Sequence, residues 1–224
     1  MNLNMLNDKE IDLLYQAMCH DSCFPPSREG FNALIEKGEE LMFKAKKEIV
    51  GHGSIDNNIW IIGKGIARLV YFNDNREITY GFGGQGTLFC SPLSFVKGEV
   101  SNFHLIAVTD CVMFKISKAD FLKLISSDIE ISNWFCGAMI YQIMVAEAKI
   151  NSQNYPANER VERFMKGMIE EYNKEVNPYL RFNLHQLPMR VLASYFGITR
   201  SHMAHLIKDF YDKEADKSTN DMTE

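Results

Sequence analysis

The sequence predicts an α+β protein with three parts. These are an N-terminal antiparallel β-roll of the jelly-roll type, a long helix, and a C-terminal helix-turn-helix. Three observations lead there. Between Phe31 and Ile116 the chain breaks into short β-type runs (FNALI, KEIVGHG, IWIIGKGIARLVYF, REITYGFGGQGTLF, NFHLIAVTD and CVMFKIS), each bounded by glycine, asparagine or aspartate. From about Asp128 to Gln153 apolar residues recur at alternating spacings of three and four. From Leu187 to Phe210 two short helical patterns flank a glycine. The expected divisions are 1–117, 118–155 and 156–224.

The N-terminal leader holds a short amphipathic helix, Asp8 to Met18, with Ile11, Leu14, Tyr15 and Met18 on one face. Phe24-Pro-Pro26 then breaks any helix. Within the β-region, Gly63-Lys-Gly65 and Asn73-Asp-Asn75 both read as hairpin turns. The run Gly81-Phe-Gly83-Gly84-Gln-Gly86 sits between strands and reads as a turn rather than a phosphate cradle. Ser117 is an N-cap with Asp120 three residues on, a partial capping box, and opens a helix to Ser126.

In the long helix, Cys136, Met139, Ile143, Ala146 and Ile150 form a narrow seam of the coiled-coil kind. A plain amphipathic helix on a core fits the same spacing. Trp134, Phe135, Ile140 and Met144 flank the seam and are expected to pack back on the roll. The helix stops at Asn154-Tyr-Pro156. A further helix, Ala157 to Tyr172, carries Val161, Phe164, Met168, Ile169 and Tyr172 on one side and Arg160, Arg163 and Lys166 on the other. Tyr179 to Leu184 alternates like a short strand. The tail after Tyr211, DKEADKSTNDMTE, is charged and reads as disordered.

Leu187 to Phe210 is the most informative stretch. Pro188 suits a first helical position, and Val191, Leu192, Tyr195 and Phe196 form an apolar face. Gly197 ends that helix and Thr199 N-caps the next. The second helix buries Met203, Leu206, Ile207 and Phe210 and presents Arg200, Ser201, His202, His205 and Lys208. A helix pair with such a polar, basic face is the pattern that places its second helix in the DNA major groove. An ordinary helical hairpin whose polar face meets water fits the local pattern as well.

Composition limits the alternatives. A net charge of −5 means that any nucleic-acid contact is a local patch. Pro156 to Phe210 supplies one, with eight Lys or Arg against six Asp or Glu. Five cysteines without framework spacing, no signal pattern and no long apolar run point to a reduced, cytoplasmic setting without membrane contact. No nucleophile elbow, zincin spacing or phosphate-binding loop is present, so no catalytic residue, metal site or resident cofactor is expected and the protein reads as a non-enzyme.

The order of these parts resembles the Crp/Fnr superfamily of transcription regulators. The resemblance covers roughly residues 30–210. It rests on Ala193-Ser-Tyr-Phe-Gly-Ile-Thr-Arg200, on Gly86-Thr-Leu-Phe89, and on IWIIGKGIARLVYF and REITYGF with Ser91 and Ser94-Phe95 downstream, which look most like members from the Bacteroidetes. It implies a homodimer on a pseudo-palindromic operator, an effector-responsive roll, and DNA, a second copy and RNA polymerase as partners. It also implies a β-hairpin wing after the recognition helix, where this chain has only its charged tail.

Residue by residue, the resemblance gives base or phosphate contacts to Thr199, Arg200, Ser201, His202, His205 and Lys208, with Arg163 and Arg190 as outlying phosphate contacts; a solvated helix face fits His202 and His205 as well. Arg200 is the guanine-reading fork. The dimer seam falls on Cys136, Met139, Ile143, Ala146 and Ile150. Cyclic-nucleotide binders hold the phosphate with an Arg-Ser or Arg-Thr pair and the ribose with a Gly-Glu turn. Those places fall here on Ser101-Asn102 and Cys90-Ser91, so neither arginine nor glutamate is present and cyclic AMP is not expected. Thr87, Phe89, Ser91, Ser94, Ser101 and Asn102 are the candidates for lining a pocket for an unknown small effector. Cys19 and Cys23 raise redox sensing, and His20, His52 and His104 raise heme, but neither set is complete. The rival class is a cupin-like ligand-binding roll whose C-terminal helices mediate protein contacts. It would need clustered His and carboxylate ligands, and His52 and His104 are far apart in sequence.

Overall fold

The computed structural model describes residues 5–20, 24–73, 76–173 and 186–220. They fall into two compact units whose boundary lies inside one helix, between Ala146 and Glu147.

The first unit is built on eight strands: β1 (Glu39–Phe43), β2 (Glu48–Val50), β3 (Asn58–Lys64), β4 (Ala67–Asn73), β5 (Arg76–Gly83), β6 (Leu88–Phe89), β7 (His104–Ala107) and β8 (Cys111–Ser117). They form two four-stranded antiparallel sheets, ordered β1-β8-β3-β6 and β2-β7-β4-β5. The IWII run of β3 shows how sequence sets layers. Alternate side chains leave a strand on opposite faces. Trp60 and Ile62 join Phe89, Phe103, Leu105 and Met113 between the sheets. Ile59 and Ile61 join Phe114 and Ile116 on the outer face.

That outer face is covered by helices α1 (Asp8–His20), α2 (Arg28–Glu36), α3 (Lys118–Ser127) and the start of α4 (Ile129–Ser152). They contribute Leu14, Met18, Phe31, Leu34, Phe121 and Trp134. At roughly 1.5–3 kcal/mol per fully buried apolar side chain, this second core is a main stabilising element of the unit. A one-turn helix, Leu93–Lys97, joins β6 to the segment before β7 and ends at Gly98 in the left-handed conformation.

Several sequence expectations are corrected. The FNALI segment belongs to α2, not to a strand: Phe31, Leu34 and Ile35 recur at helical spacing, and Ser27 caps the helix by accepting from Gly30 N at 3.1 Å. The first strand is instead EELMF. Gly63-Lys-Gly65 does not close a hairpin, because β3 and β4 belong to different sheets. Gly65 turns the chain from one to the other at φ 95°, and a Cβ there would stand 2.3 Å from the Asp110 carbonyl oxygen. The β4–β5 hairpin does form, with Asn73 opposite Arg76.

Ser117 Oγ accepts from Asp120 N at 3.1 Å and donates to Asp120 Oδ2 at 2.6 Å, so Ser117 caps α3 and the aspartate holds its hydroxyl in place of the backbone bond of a full capping box. Asp128 Oδ1 then accepts from Glu130 N and Ile131 N to start α4. In α4, Trp134 and Phe135 pack onto the outer core as expected. Ile140 and Met144 do not; both are exposed.

The second unit contains α5 (Ala157–Asn173), α6 (Met189–Phe196) and α7 (Arg200–Asn220). Val161 and Met165 of α5, Val191, Leu192 and Phe196 of α6, and Met203 and Phe210 of α7 are buried. Phe164, Tyr195 and Phe196 form a ring trio with centroids 5.1–5.7 Å apart. Pro188 is the N-cap of α6 rather than its first helical residue, with ψ at 140°. The tail is corrected too, since α7 continues as helix to Asn220. Asp212, Lys213, Glu214 and Ala215 follow Tyr211 with no glycine or proline to stop the helix. The expected strand Tyr179–Leu184 and Cys23 lie outside the described residues.

Candidate functional site

The α6–α7 turn is built as a tight helix-turn-helix. Gly197 adopts φ 69°, and the N–H of Ile198 returns to the Ala193 oxygen at 3.1 Å, a Schellman closure. Thr199 Oγ1 accepts from His202 N at 3.2 Å and so caps α7. These bonds fix the exit of α7, and the burial of Met203 and Phe210 fixes its rotation. The consequence is that Arg190, Thr199, Arg200, Ser201, His202, His205 and Lys208 are all exposed. Thr199 Oγ1 and Ser201 Oγ lie 3.2 Å apart. His205 Nε2 lies 3.3 Å from Asp209 Oδ2, one turn further along α7. The arrangement offers a fork donor, two hydroxyls, two imidazoles and an ammonium on one helix. Arg163, by contrast, stacks on the Tyr155 ring at 3.9 Å.

The seam residues of α4 separate into two kinds. Cys136, Ile143 and Ile150 are exposed, the last two at 58% and 64%. Met139 packs against the outer core of the roll, and Ala146 is half-buried. With Ile140 and Met144 also exposed, the open apolar face of α4 is wider than a two-residue-per-heptad seam.

The six candidate pocket residues occupy different settings. Ser91 and Ser94 meet at the start of the one-turn helix, where Ser91 Oγ accepts from Ser94 N at 3.4 Å. Ser94 is fully buried and its Oγ has no hydrogen-bond partner among the described residues. Phe89 fills the space between the sheets with Trp60. Thr87 is buried and belongs to a turn, its N–H bonded to the Gly84 oxygen at 3.0 Å. Ser101 stitches two loops: its backbone bonds Gly53 and Ser54, and its Oγ donates to the Phe103 oxygen at 3.0 Å. Asn102 is exposed.

Two features were missed from sequence. Arg68, 3% exposed on β4, donates to Glu77 Oε1 at 2.6 Å and Thr79 Oγ1 at 2.8 Å. A strand arginine gives no sequence signal that it is buried. The fold also brings His52 and His104 together, with the carboxylate of Glu48 on His104 Nδ1. The two histidines are far apart in sequence, and only the fold makes them neighbours. The thiols of Cys19, Cys90 and Cys111 are all raised, chiefly by burial, Cys90 to about 11, which keeps them protonated and slow to react.

The family model of the cyclic nucleotide-binding domain matches residues 40–128. No curated protein sequence matches the chain. Among solved structures, the fold is similar to the c-di-GMP-responsive global regulator CLP of Xanthomonas campestris, with a TM-score of 0.68, 14% identity, and coverage of 84% of this chain and 93% of that one. A CooA mutant from Carboxydothermus hydrogenoformans gives 0.66, 16%, 80% and 78%. FixK2 from Bradyrhizobium japonicum gives 0.65, 16%, 79% and 86%. No helix among the described residues is long and apolar enough to cross a membrane. Residues 40–128 thus match the cyclic nucleotide-binding domain model, and the chain has a fold similar to those of CLP, CooA and FixK2.

Proposed function

We propose that the protein is a homodimeric, sequence-specific DNA-binding transcription regulator of the cytoplasm, responding to a small-molecule or redox signal other than cyclic AMP. The observation that carries this reading is the exposed polar face of α7, capped by Thr199 and aimed by the Gly197 turn, in a chain with the Crp/Fnr fold. Arg200 reads guanine through O6 and N7, a contact worth about 1–3 kcal/mol of discrimination. Ser201, His202 and His205 read or tolerate neighbouring bases, and Thr199, Lys208 and Arg190 hold phosphates. The exposed face of α4 pairs two copies, so that two α7 helices meet successive major grooves about 34 Å apart. RNA polymerase is the further partner of a regulator so placed. The three functional parts are the sensor roll (1–117), the α3–α4 connection (118–155) and the reading head (156–224).

The class of signal follows from the groups between β6 and β7, the candidate sensor cassette. A buried cyclic phosphate needs a charged fork donor to offset its desolvation. Ser101 and Asn102 supply none, and Cys90-Ser91 supply no carboxylate for a ribose. Ser91 and Ser94 suit an uncharged or weakly polar ligand. CLP, of the same fold, is itself responsive to a different nucleotide.

The test is selection of duplexes from a random pool by the purified protein, followed by electrophoretic shifts on the enriched site. Wild type should bind with a steep loss of affinity as salt rises. Arg200→Ala should relax preference at one guanine in each half-site. Absence of any salt-sensitive binding overturns the reading.

A further inference from the structure

We infer that His52 and His104 form a binding site for an exchangeable first-row divalent ion such as Zn2+ or Cu2+, with Glu48 orienting one of the two ligands. The inference goes beyond the proposed regulator function and does not depend on it.

The two imidazoles are 52 residues apart in the chain but face each other, with centroids 5.8 Å apart and planes 19° from parallel. Two imidazoles bound to one tetrahedral ion, with metal–nitrogen bonds of about 2.0–2.1 Å, hold their centroids about 5 Å apart. An ion held by both rings lies in the plane of each, so one ring must turn as well as approach; His52, exposed on a turn, can swing and rotate its ring to do both.

The placement is built rather than incidental. Gly53 N donates to the Ser101 oxygen at 2.8 Å, and Ser101 N donates to the Ser54 oxygen at 2.7 Å. Ser54 Oγ donates to the Gly51 oxygen at 2.5 Å. These bonds stitch the turn carrying His52 to the residue three before His104. On the other side, the Phe72 ring meets His104 edge-to-face at 4.8 Å and limits its rotation.

Glu48 gives the pair its polarity. Its carboxylate accepts from Nδ1 of His104. In the neutral ring this puts the proton on Nδ1 and leaves Nε2 with a free lone pair. A carboxylate holding the far nitrogen of an imidazole is the usual second-shell support of a metal-ligating histidine, and it raises the basicity of the ligand. Among the described residues no set of three His, Cys, Asp or Glu side chains is placed to hold a metal. Two imidazoles therefore supply the protein's share and water supplies the rest. That coordination suits a reversible ion rather than a structural one, and imidazole ligands favour zinc, copper and nickel over magnesium or calcium.

The experiment uses tag-free, full-length protein stripped with chelator and titrated by calorimetry with Zn2+ alone and with Cu2+ alone. Wild type should take up one ion per chain, and the Cu2+ form should show nitrogen hyperfine coupling in electron paramagnetic resonance. His52→Ala, on an exposed turn and so harmless to the fold, and His104→Ala should each weaken binding at least about tenfold. Glu48→Gln should weaken it by about tenfold while both ligands remain. No uptake by wild type overturns the site. So does uptake unchanged in His52→Ala, including uptake lost only when the cysteines are alkylated, which would place the ion on thiols.

Discussion

Lys118 closes over Phe95. Its Nζ donates to the Phe95 carbonyl oxygen and also lies 5.2 Å from the centre of the Phe95 ring. The first residue of α3 therefore caps the one-turn helix at the candidate sensor cassette and ties its position to α3. A charged donor to a partly buried carbonyl contributes about 1.5–3 kcal/mol. Lys118→Met should lower stability by about 1.5 kcal/mol in urea unfolding and speed amide exchange at Gly98 and Glu99 by more than it does elsewhere. Uniform or unchanged exchange would show that the cassette is held by other means.

The same link continues through aromatic rings. Phe95 meets Phe121 at 6.2 Å, and Phe121 meets Phe135 of α4 at 4.9 Å, both edge-to-face. Phe121 is fully buried. Phe121→Ala should cost about 3–5 kcal/mol, whereas Phe121→Leu should cost less and still fold. Chemical unfolding of the two variants checks this; equal losses would mean that the ring contacts, and not the volume they fill, carry the whole effect.

Ile143 is exposed on α4 between two further exposed apolar residues, Ile140 and Ile150. A charge buried at the centre of a dimer face without a partner is strongly unfavourable. Ile143→Glu should yield a folded monomer on sizing with light scattering, and DNA affinity should fall with it. A variant that stays dimeric would remove α4 from the interface.

Lys149 gives a prediction with pH. Its Nζ sits 4.1 Å from the centre of the Tyr195 ring, and burial pushes its ammonium down to about 8. The unfolded chain keeps that proton to about 10.5. Between these values the unfolded state binds more protons, so stability rises with pH. Tyr195, raised by burial, acts in the opposite sense only above about pH 10. Between pH 8 and 9.5, wild type should therefore gain stability relative to Lys149→Met. Parallel pH dependences for the two proteins in denaturant unfolding would assign the gain elsewhere.

What could be read from the sequence follows the range of the signals. Caps and turns are local, so Ser117, Thr199 and Gly197 were identifiable from a few neighbours and take the expected roles. The IWII run read as a strand, and the structure buries it on both faces. Sheet membership is non-local, which is why the Gly63–Gly65 segment looked like a hairpin although it joins two sheets. A short apolar run such as FNALI fits either period, and only the Ser27 cap separates them. The candidate DNA face was legible because one helix carries it. The Glu48–His104–His52 cluster was not, because strand pairing assembles it from distant segments; the Arg68–Glu77 pair lies within one hairpin, but the burial of Arg68 depends on the sheet around it.

The uninterrupted run of α7 has an electrical consequence. Its first nine residues carry Arg200, Lys208 and two histidines and no carboxylate. The twelve that follow, from Asp209 to Asn220, carry four carboxylates against two lysines. A helix already has a positive N-terminal and a negative C-terminal end, and most helices place charges that cancel this. Here the side chains add to it. At 1.5 Å per residue, α7 is a rod about 30 Å long, positive at the end joined to the turn and negative at the far end. Its own stability is lowered by that order, yet the order gives the helix a heading: near a polyanion it is drawn in with the Thr199 end foremost and the distal turns held away.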